Sequence, residues 1–543
     1  MLERIVENWL TKAGEKGFQV PFSQLLSLEG HRVLHGPVHH PFEHGKDLAT
    51  FDDEGRLCAF QLKGGDQTQG DIEDIQGQLL ALAGGAVTYP GVEPPRRPDR
   101  VMLVVSGVLT PPARDRISNF NTANRPFGVP AIEVVEKEQL VARFVRAHGA
   151  FLPTEPAELN DLLRFYLGDG KGPFPVQQLL RLVSDITNAK REGASHAEYA
   201  RAIGSSVLLT AYAVAPWERI ENHLGAAEGW LALCCGILRV ASERDLPEAV
   251  WMESYELARA AGRGHLYELL NEAAALEDLL IPGLVEGVVY PTRALLVSGY
   301  LAGFYLVERE LGGDDQELAA RIKTVLLREL RFIRTVGEAA APYVLVIGTA
   351  LELLAEPQKG RLLVARYAAA LTHANQGRSD NAIPDPYHSF EDCLKRIVGA
   401  DVDLSDEEFA GNAYTLHVAV DWLARRGERA VVADLWPPIT RLNLCEFQPS
   451  AGSRYFAAVD NDGRLHHWQP NMPESWARLR QVAGVVAESE LPQLLWRQLD
   501  FLPYLCLLLP YRTTTACSKA LDYAQYGPSR GLVTVTQDVD NSE

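Results

Sequence analysis

Hydrophobic positions change period repeatedly along the first 150 residues and then settle into a helical one. Leu2, Ile5, Val6, Trp9 and Leu10 fall at helical spacing, which predicts an amphipathic N-terminal helix. Arg32 to Val38 reads as a short strand. Asp47 to Asp52 and Arg56 to Lys63 read as two strands joined by a tight turn at Asp53-Glu54-Gly55. Asp71 to Ala83 has an acidic first turn and a Gly84-Gly85 stop, so it reads as a helix. Val101 to Val105 is a continuous apolar run that suits a buried strand. A helix over Pro112 to Phe120, a strand over Ile132 to Val135 and a helix over Glu136 to His148 complete the stretch. The order α, β, β, β, α, β, α, β, α predicts an α/β domain over residues 1–150.

A Pro-containing segment, residues 151–157, reads as a linker. Beyond it, helix-period segments follow one another at Val176 to Ala189, Glu228 to Ser242, Leu246 to Ala261, Leu266 to Leu280, Thr292 to Leu311, Glu317 to Val336, Pro342 to Leu354 and Arg361 to Ala374. Residues 158–530 are therefore expected to form a large α-helical region of stacked helix pairs, with no repeat of fixed period. Tyr455 to Val459 and Arg464 to Trp468 flank an Asp462-Gly463 turn and predict a β-hairpin. Helices are expected from Glu474 to about Leu509, and residues 531–543 read as a tail.

The candidate chemistry lies in the first hairpin. A three-residue loop with Gly55 in the left-handed position makes paired residue numbers sum to about 108. Asp47 then sits opposite Gln61. Alternation puts Gln61 and Lys63 on one face, and Phe60 and Leu62 on the other. A carboxylate, an amide and an ammonium thus converge on an otherwise apolar sheet. Such polar groups belong together in metal-assisted phosphodiester hydrolysis. Asp47 is a hard oxygen ligand for Mg²⁺ or Mn²⁺, and the Gln61 side-chain carbonyl and Leu62 backbone carbonyl complete an inner shell. Lys63 holds or deprotonates the attacking water and balances charge on the phosphate.

Glu43-His44-Gly45-Lys46-Asp47, followed after a turn by Phe60-Gln61-Leu62-Lys63-Gly64-Gly65, resembles the core of the PD-(D/E)XK, or restriction-endonuclease-like, nucleases. The α-β-β-β-α-β order is similar to theirs as well. Gln61 stands where most members carry an acid, which resembles the Mrr-like D…QxK branch and removes one negative charge from the site. The resemblance covers roughly residues 1–150. It implies a glutamine facing the site from the helix at 71–83, for which Gln76 fits better than Gln78. It also implies a further acid as metal or water ligand, filled by Glu7 (with Glu3 one turn away) or by Glu43 from the strand entry. The implied activity is a Mg²⁺-dependent DNA endonuclease. By analogy of architecture it is a gated effector in restriction or anti-phage defence, or else a DNA-repair nuclease. The competing expectation is a catalytically weak nuclease-like subunit that binds nucleic acid or protein.

Five of the 14 histidines lie between His31 and His44 (with His35, His39 and His40), so a zinc site or a DNA-facing loop is conceivable there. No G-x-x-x-x-G-K-[ST], G-x-S-x-G or H-E-x-x-H motif occurs, and any ATP-driven step needs a partner. Seven scattered cysteines without zinc-ligand spacing fit reduced thiols of a cytoplasmic protein. The N-terminus carries acids early, and the apolar run from Phe501 to Pro510 falls short of the ~20 residues that span a bilayer, so no membrane partner is expected. The helical region is expected to bind a protein partner or a second copy of the chain. The net charge of −19 at first speaks against nucleic acid. Residues 1–150, however, hold 16 Lys+Arg and 19 Asp+Glu, against 36 and 52 in the remainder. The acidity therefore belongs mainly to the helical part. Arg96, Arg97 and Arg100 are candidate phosphate contacts.

Overall fold

The computed structural model describes residues 2–35, 46–89, 92–147, 165, 168–188, 194–277, 279, 288–312, 315–334, 337–376, 390–397, 411–449, 463–470, 475–487, 493–508, 518, 521–522 and 533–535. Two compact units emerge, Met1–His265 and Leu266–Glu543.

A mixed five-stranded sheet organises the first unit. Its strands are β1 (Arg32–His35), β2 (Leu48–Phe51), β3 (Leu57–Lys63), β4 (Arg100–Val105) and β5 (Ile132–Val135), adjacent in chain order. β1, β2 and β3 form an antiparallel meander, and β3, β4 and β5 run parallel. Helix α1 (Leu2–Leu28) precedes the sheet and α2 (Gln69–Asp74) and α3 (Gln76–Gly84) join β3 to β4. Helix α4 (Pro111–Asn124) joins β4 to β5, and α5 (Lys137–Ala147) follows β5. Alternation sends successive strand side chains to opposite faces. Cys58, Phe60 and Leu62 of β3 pack with Leu10, Phe18, Phe22 and Leu25 of α1 and with Leu140 and Phe144 of α5. Ala59 of β3 and Val101, Leu103 and Val105 of β4 pack with Leu79 and Leu82 of α3 and Ile117 of α4. The sheet is thus covered on both faces by helices, each buried Leu or Phe contributing roughly 1.5–3 kcal/mol of apolar burial.

The β2–β3 register is the one the turn demands. Leu48 pairs with Phe60, Ala49 with Ala59, Thr50 with Cys58 and Phe51 with Leu57, so every pair sums to 108. Gly55 has φ of 75°, and its N–H donates to the Asp52 carbonyl at 2.9 Å. The Asp52 carboxylate accepts from the backbone N–H groups of Glu54 (3.1 Å) and Arg56 (2.9 Å) and from Arg56 Nε (2.8 Å). A Cβ on Gly55 meets nothing within 4 Å, so its substitution costs backbone strain alone. Gly55→Ala should lower stability by about 1 kcal/mol, and Gly55→Asn by less, since Asn tolerates the left-handed region. Urea denaturation of the two variants checks this; equal losses contradict it.

The first unit continues with helices that include α6 (Val176–Asn188), α7 (His196–Arg219) and α8 (His223–Glu243). Leu208, Leu209, Tyr212 and Ala215 of α7 join the apolar cluster of α1 and β3. The expected linker at 151–157 lies outside the described residues, and the two compact units divide after His265. Helix α7 escapes a periodicity reading because residues 203–217 are buried on every side, which leaves no polar face to set a period. Helix α8 is long and apolar enough to cross a membrane, but 89% of its apolar window is buried inside the protein, as in a core helix. Helix Glu248–Ala275 replaces two expected helices and runs through Gly262 without stopping. A Cβ at Gly262 falls 3.1 Å from Leu231 of α8, so this glycine permits close helix approach rather than ending a helix.

The second unit is mainly helical, as expected, and its long helices are Val289–Glu310, Gln316–Glu329, Ala341–Leu353 and Pro357–Ala374. Two details differ. Asn443–Pro449 is an additional strand that pairs antiparallel with Gly463–Trp468, and the expected partner at 455–459 lies outside the described residues. Val533–Val535, inside the expected tail, pairs in parallel with Val485–Ala487. The stretch expected to be helical from 474 to 509 includes that strand, because Val485 and Val486 are β-branched and follow the helix stop at Gly484.

Candidate active site

Asp47 immediately precedes β2, Gln61 and Lys63 end β3, and α1 crosses beside them. Asp47 N–H donates to the Phe60 carbonyl at 2.9 Å, which carries the hairpin pairing one residue beyond β2. Its carboxylate Oδ2 accepts from Gln61 Nε2 at 2.8 Å and from the Leu62 backbone N–H at 2.6 Å. The sequence-based pairing of Asp47 with Gln61 is therefore a direct hydrogen bond. Gln61 is only 3% exposed. Its amide nitrogen is used by Asp47, while its Oε1 is buried and accepts no hydrogen bond among the described residues. A buried carbonyl oxygen left this way is costly unless something else meets it.

Lys63 Nζ donates to Glu15 Oε2 of α1 at 3.1 Å. One turn on, Gln19 Nε2 approaches the Asp47 carbonyl at 3.4 Å. The helix acid at this corner is Glu15. Glu7 lies two turns away and pairs with Lys137 of α5 at 3.4 Å. Glu43 lies outside the described residues, as do His39, His40 and His44. Gln76 does not turn to Asp47 either, because its Oε1 accepts from Arg116 Nη2 of α4 at 3.2 Å. It lines a surface cavity of about 200 Å³ with Ile72, Leu79 and Phe120. The reason is a break at Ile75. Thr68 caps α2 through a capping box with Asp71, and a second helix starts at Gln76, so one helical wheel does not describe 71–83.

Lys46, beside Asp47, is 1% exposed. Its Nζ donates to the Ala81 carbonyl near the end of α3 at 2.9 Å. Tyr89 Oη donates to the Lys46 backbone carbonyl at 3.4 Å. Burial pushes the Lys46 ammonium down to about 8. This contact ties the strand entry to α3; a lysine just before an acid in a polar stretch gives no warning of burial. The glycines after Lys63 are also fixed: Gly65 N–H donates to Ser106 Oγ at 2.9 Å. A Cβ on Gly107 falls 2.3 Å from the Gly65 carbonyl carbon, so only glycine lets the β3 and β4 ends meet.

His31 donates to or accepts from Thr50 Oγ1 at 2.8 Å through Nδ1, and burial lowers its basicity. Among the described residues no group of three or more His, Cys, Asp or Glu side chains is arranged to hold a metal ion. Arg100 forms a bidentate pair with Glu133 at 3.0 and 2.6 Å, and Arg96 pairs with Asp99 at 3.2 Å. Of the three candidate phosphate contacts, two are thus already engaged by carboxylates.

No family model matches the chain, no curated protein is significantly similar to it in sequence, and no solved structure is significantly similar to it in fold.

Proposed function

We propose that the chain is a metal-dependent endonuclease that hydrolyses phosphodiester bonds of DNA, with its active site at Asp47, Gln61 and Lys63. One observation carries the reading. Gln61 gives its nitrogen to Asp47 and leaves a buried oxygen unsatisfied, beside a lysine on the same strand face. A bare structural role explains the nitrogen but not the oxygen. The α-β-β-β-α-β order around a mixed sheet supports it further.

The donors fit a hard divalent cation. The Asp47 carboxylate, Gln61 Oε1 and the Leu62 carbonyl would hold Mg²⁺ or Mn²⁺, either of which keeps several of its own waters. When bound, the metal supplies Lewis-acid polarisation of a phosphoryl oxygen and lowers the pKa of a bound water. The chain's own residues do the rest. Asp47 orients Gln61 through its Nε2 and is itself fixed by the Leu62 N–H. Lys63 places a positive charge at the corner and donates a hydrogen bond that orients the attacking water. Glu15 holds the Lys63 ammonium in place at 3.1 Å. Plasmid nicking or linearisation in Mg²⁺ or Mn²⁺, stopped by EDTA, is the expected result.

A second reading, a non-catalytic nucleic-acid-binding or interaction subunit, has its own support. Asp47 is the one carboxylate bonded to Gln61 among the described residues, and Glu15 is committed to Lys63. Calorimetric titration with Mn²⁺ separates the two. Binding lost in Asp47→Ala supports the nuclease, and no binding supports the second reading. In the nuclease reading the acidic helical remainder keeps DNA from an idle site and receives the partner or second copy that releases it, the arrangement of a gated defence effector.

A further inference from the structure

A cavity of about 210 Å³ lies within the second unit. Its wall is mostly apolar. Helix Leu416–Arg425 contributes Val420, helix Arg429–Ile439 contributes Trp436 and Ile439, and the strand pair contributes Leu444 and Trp468. Helix Trp476–Ala483 adds Val482, which is 44% exposed and so stands at the rim. Trp468 meets the His417 ring edge to face, with centroids 5.1 Å apart. The Trp436 indole N–H is buried and donates to no acceptor among the described residues. Asp421 also lines the cavity but is already engaged within the protein. No lysine or arginine is among the described lining residues.

These features select an uncharged guest. An ion entering this wall would lose its hydration and find no countercharge to replace it. Two indoles offer faces and edges to another ring. The volume exceeds the ~150 Å³ of an apolar cavity that takes up benzene. It falls below the ~300–1,000 Å³ of pockets for drug-sized molecules, so one ring with a short substituent fits. A buried indole donor without an acceptor is costly, and an oxygen on the guest removes that cost. We propose that this cavity binds a small uncharged aromatic molecule whose carbonyl oxygen accepts from Trp436 Nε1. This site is independent of the nuclease reading.

A ligand-observed NMR titration of the full chain with acetophenone tests it. Saturable binding is expected, with weaker binding of cyclohexyl methyl ketone, which keeps the acceptor and loses the aromatic ring. Cumene has the shape of acetophenone without its oxygen and should compete for the same site. Trp436→Phe keeps a ring and removes the N–H. It should weaken acetophenone roughly fivefold relative to cumene, the worth of one neutral hydrogen bond. Val482→Trp changes only the exposed rim and should obstruct both probes. A thermal melt matching wild type certifies each variant as folded. The proposal is overturned by absence of saturable acetophenone binding to wild type, by unaltered binding in Val482→Trp, or by equal losses of acetophenone and cumene in Trp436→Phe. Cyclohexyl methyl ketone binding as tightly as acetophenone overturns it too. If Trp436→Phe fails the melt, Val482→Trp and the two ketones decide.

Discussion

Lys63→Ala should reduce metal-dependent plasmid cleavage by about 10²–10⁴-fold, the range for losing a positioned acid–base group. Asp47→Ala should reduce it at least as far and abolish Mn²⁺ binding as well. The two variants differ in what else they disturb. Asp47 accepts from Gln61 and from the Leu62 N–H, so its loss strands two donors and should lower stability by roughly 1–3 kcal/mol. Lys63 loses only a pair with Glu15, whose side chain is 42% exposed; solvent screening keeps that below about 1 kcal/mol. Lys63→Ala is therefore the cleaner test, because its melting curve should match wild type while cleavage collapses. Glu15→Gln sharpens it: a hydrogen-bond partner remains, the charge goes, and cleavage should fall by about tenfold rather than vanish. Equal cutting by wild type, Asp47→Ala and Lys63→Ala would assign the activity to a contaminant.

The parts of this site that were legible beforehand are those fixed by short-range geometry. A turn with one obligatory left-handed residue sets the register of its two strands, so Gly55 suffices to bring Asp47 to Gln61 across fourteen residues. Alternation then puts Lys63 on the Gln61 face. Glu15 was out of reach for a different reason. Helical periodicity gives the angle of a side chain about its axis, but not which turn of the helix crosses the sheet edge. That depends on where Phe18, Phe22 and Leu25 seat against β3, a tertiary result. With the helix read only from its first ten residues, Glu7 was the natural candidate, and the corner is two turns farther on. Gln76 failed through a local break that the capping box at Thr68 encodes, a signal present in the sequence but outweighed by the longer apolar stripe. In the helical remainder, amphipathic helices are readable, whereas the all-buried α7 is not, because its apolar residues lack the polar counterphase that a pattern needs.

The second unit carries the other large expected effect. Asp522 sits between two consecutive arginines. It accepts from Arg425 Nε at 2.7 Å and from Arg426 Nη1 and Nη2 at 2.8 Å each, and Arg426 Nε reaches Glu352 at 2.7 Å. All four side chains are at most 5% exposed, and the Arg426 guanidinium stacks 3.5 Å from the Trp422 ring centre. The charges of Arg425, Arg426, Asp522 and Glu352 cancel, so removing Asp522 leaves an uncompensated buried cation. Asp522→Ala should therefore lower stability by about 3–5 kcal/mol, seen as an early thermal transition of the full chain. Acid gives an independent check. The two guanidinium groups hold the Asp522 carboxyl at about 2, below the usual 3.8, despite burial that pushes it the other way. A depressed folded-state pKa contributes stability that is full above 3.8 and is lost as pH falls toward 2, here about 2 kcal/mol. Wild type should lose this increment between pH 4 and 2, and Asp522→Ala should not. Parallel acid titrations of the two proteins would count against the network if their slopes coincide.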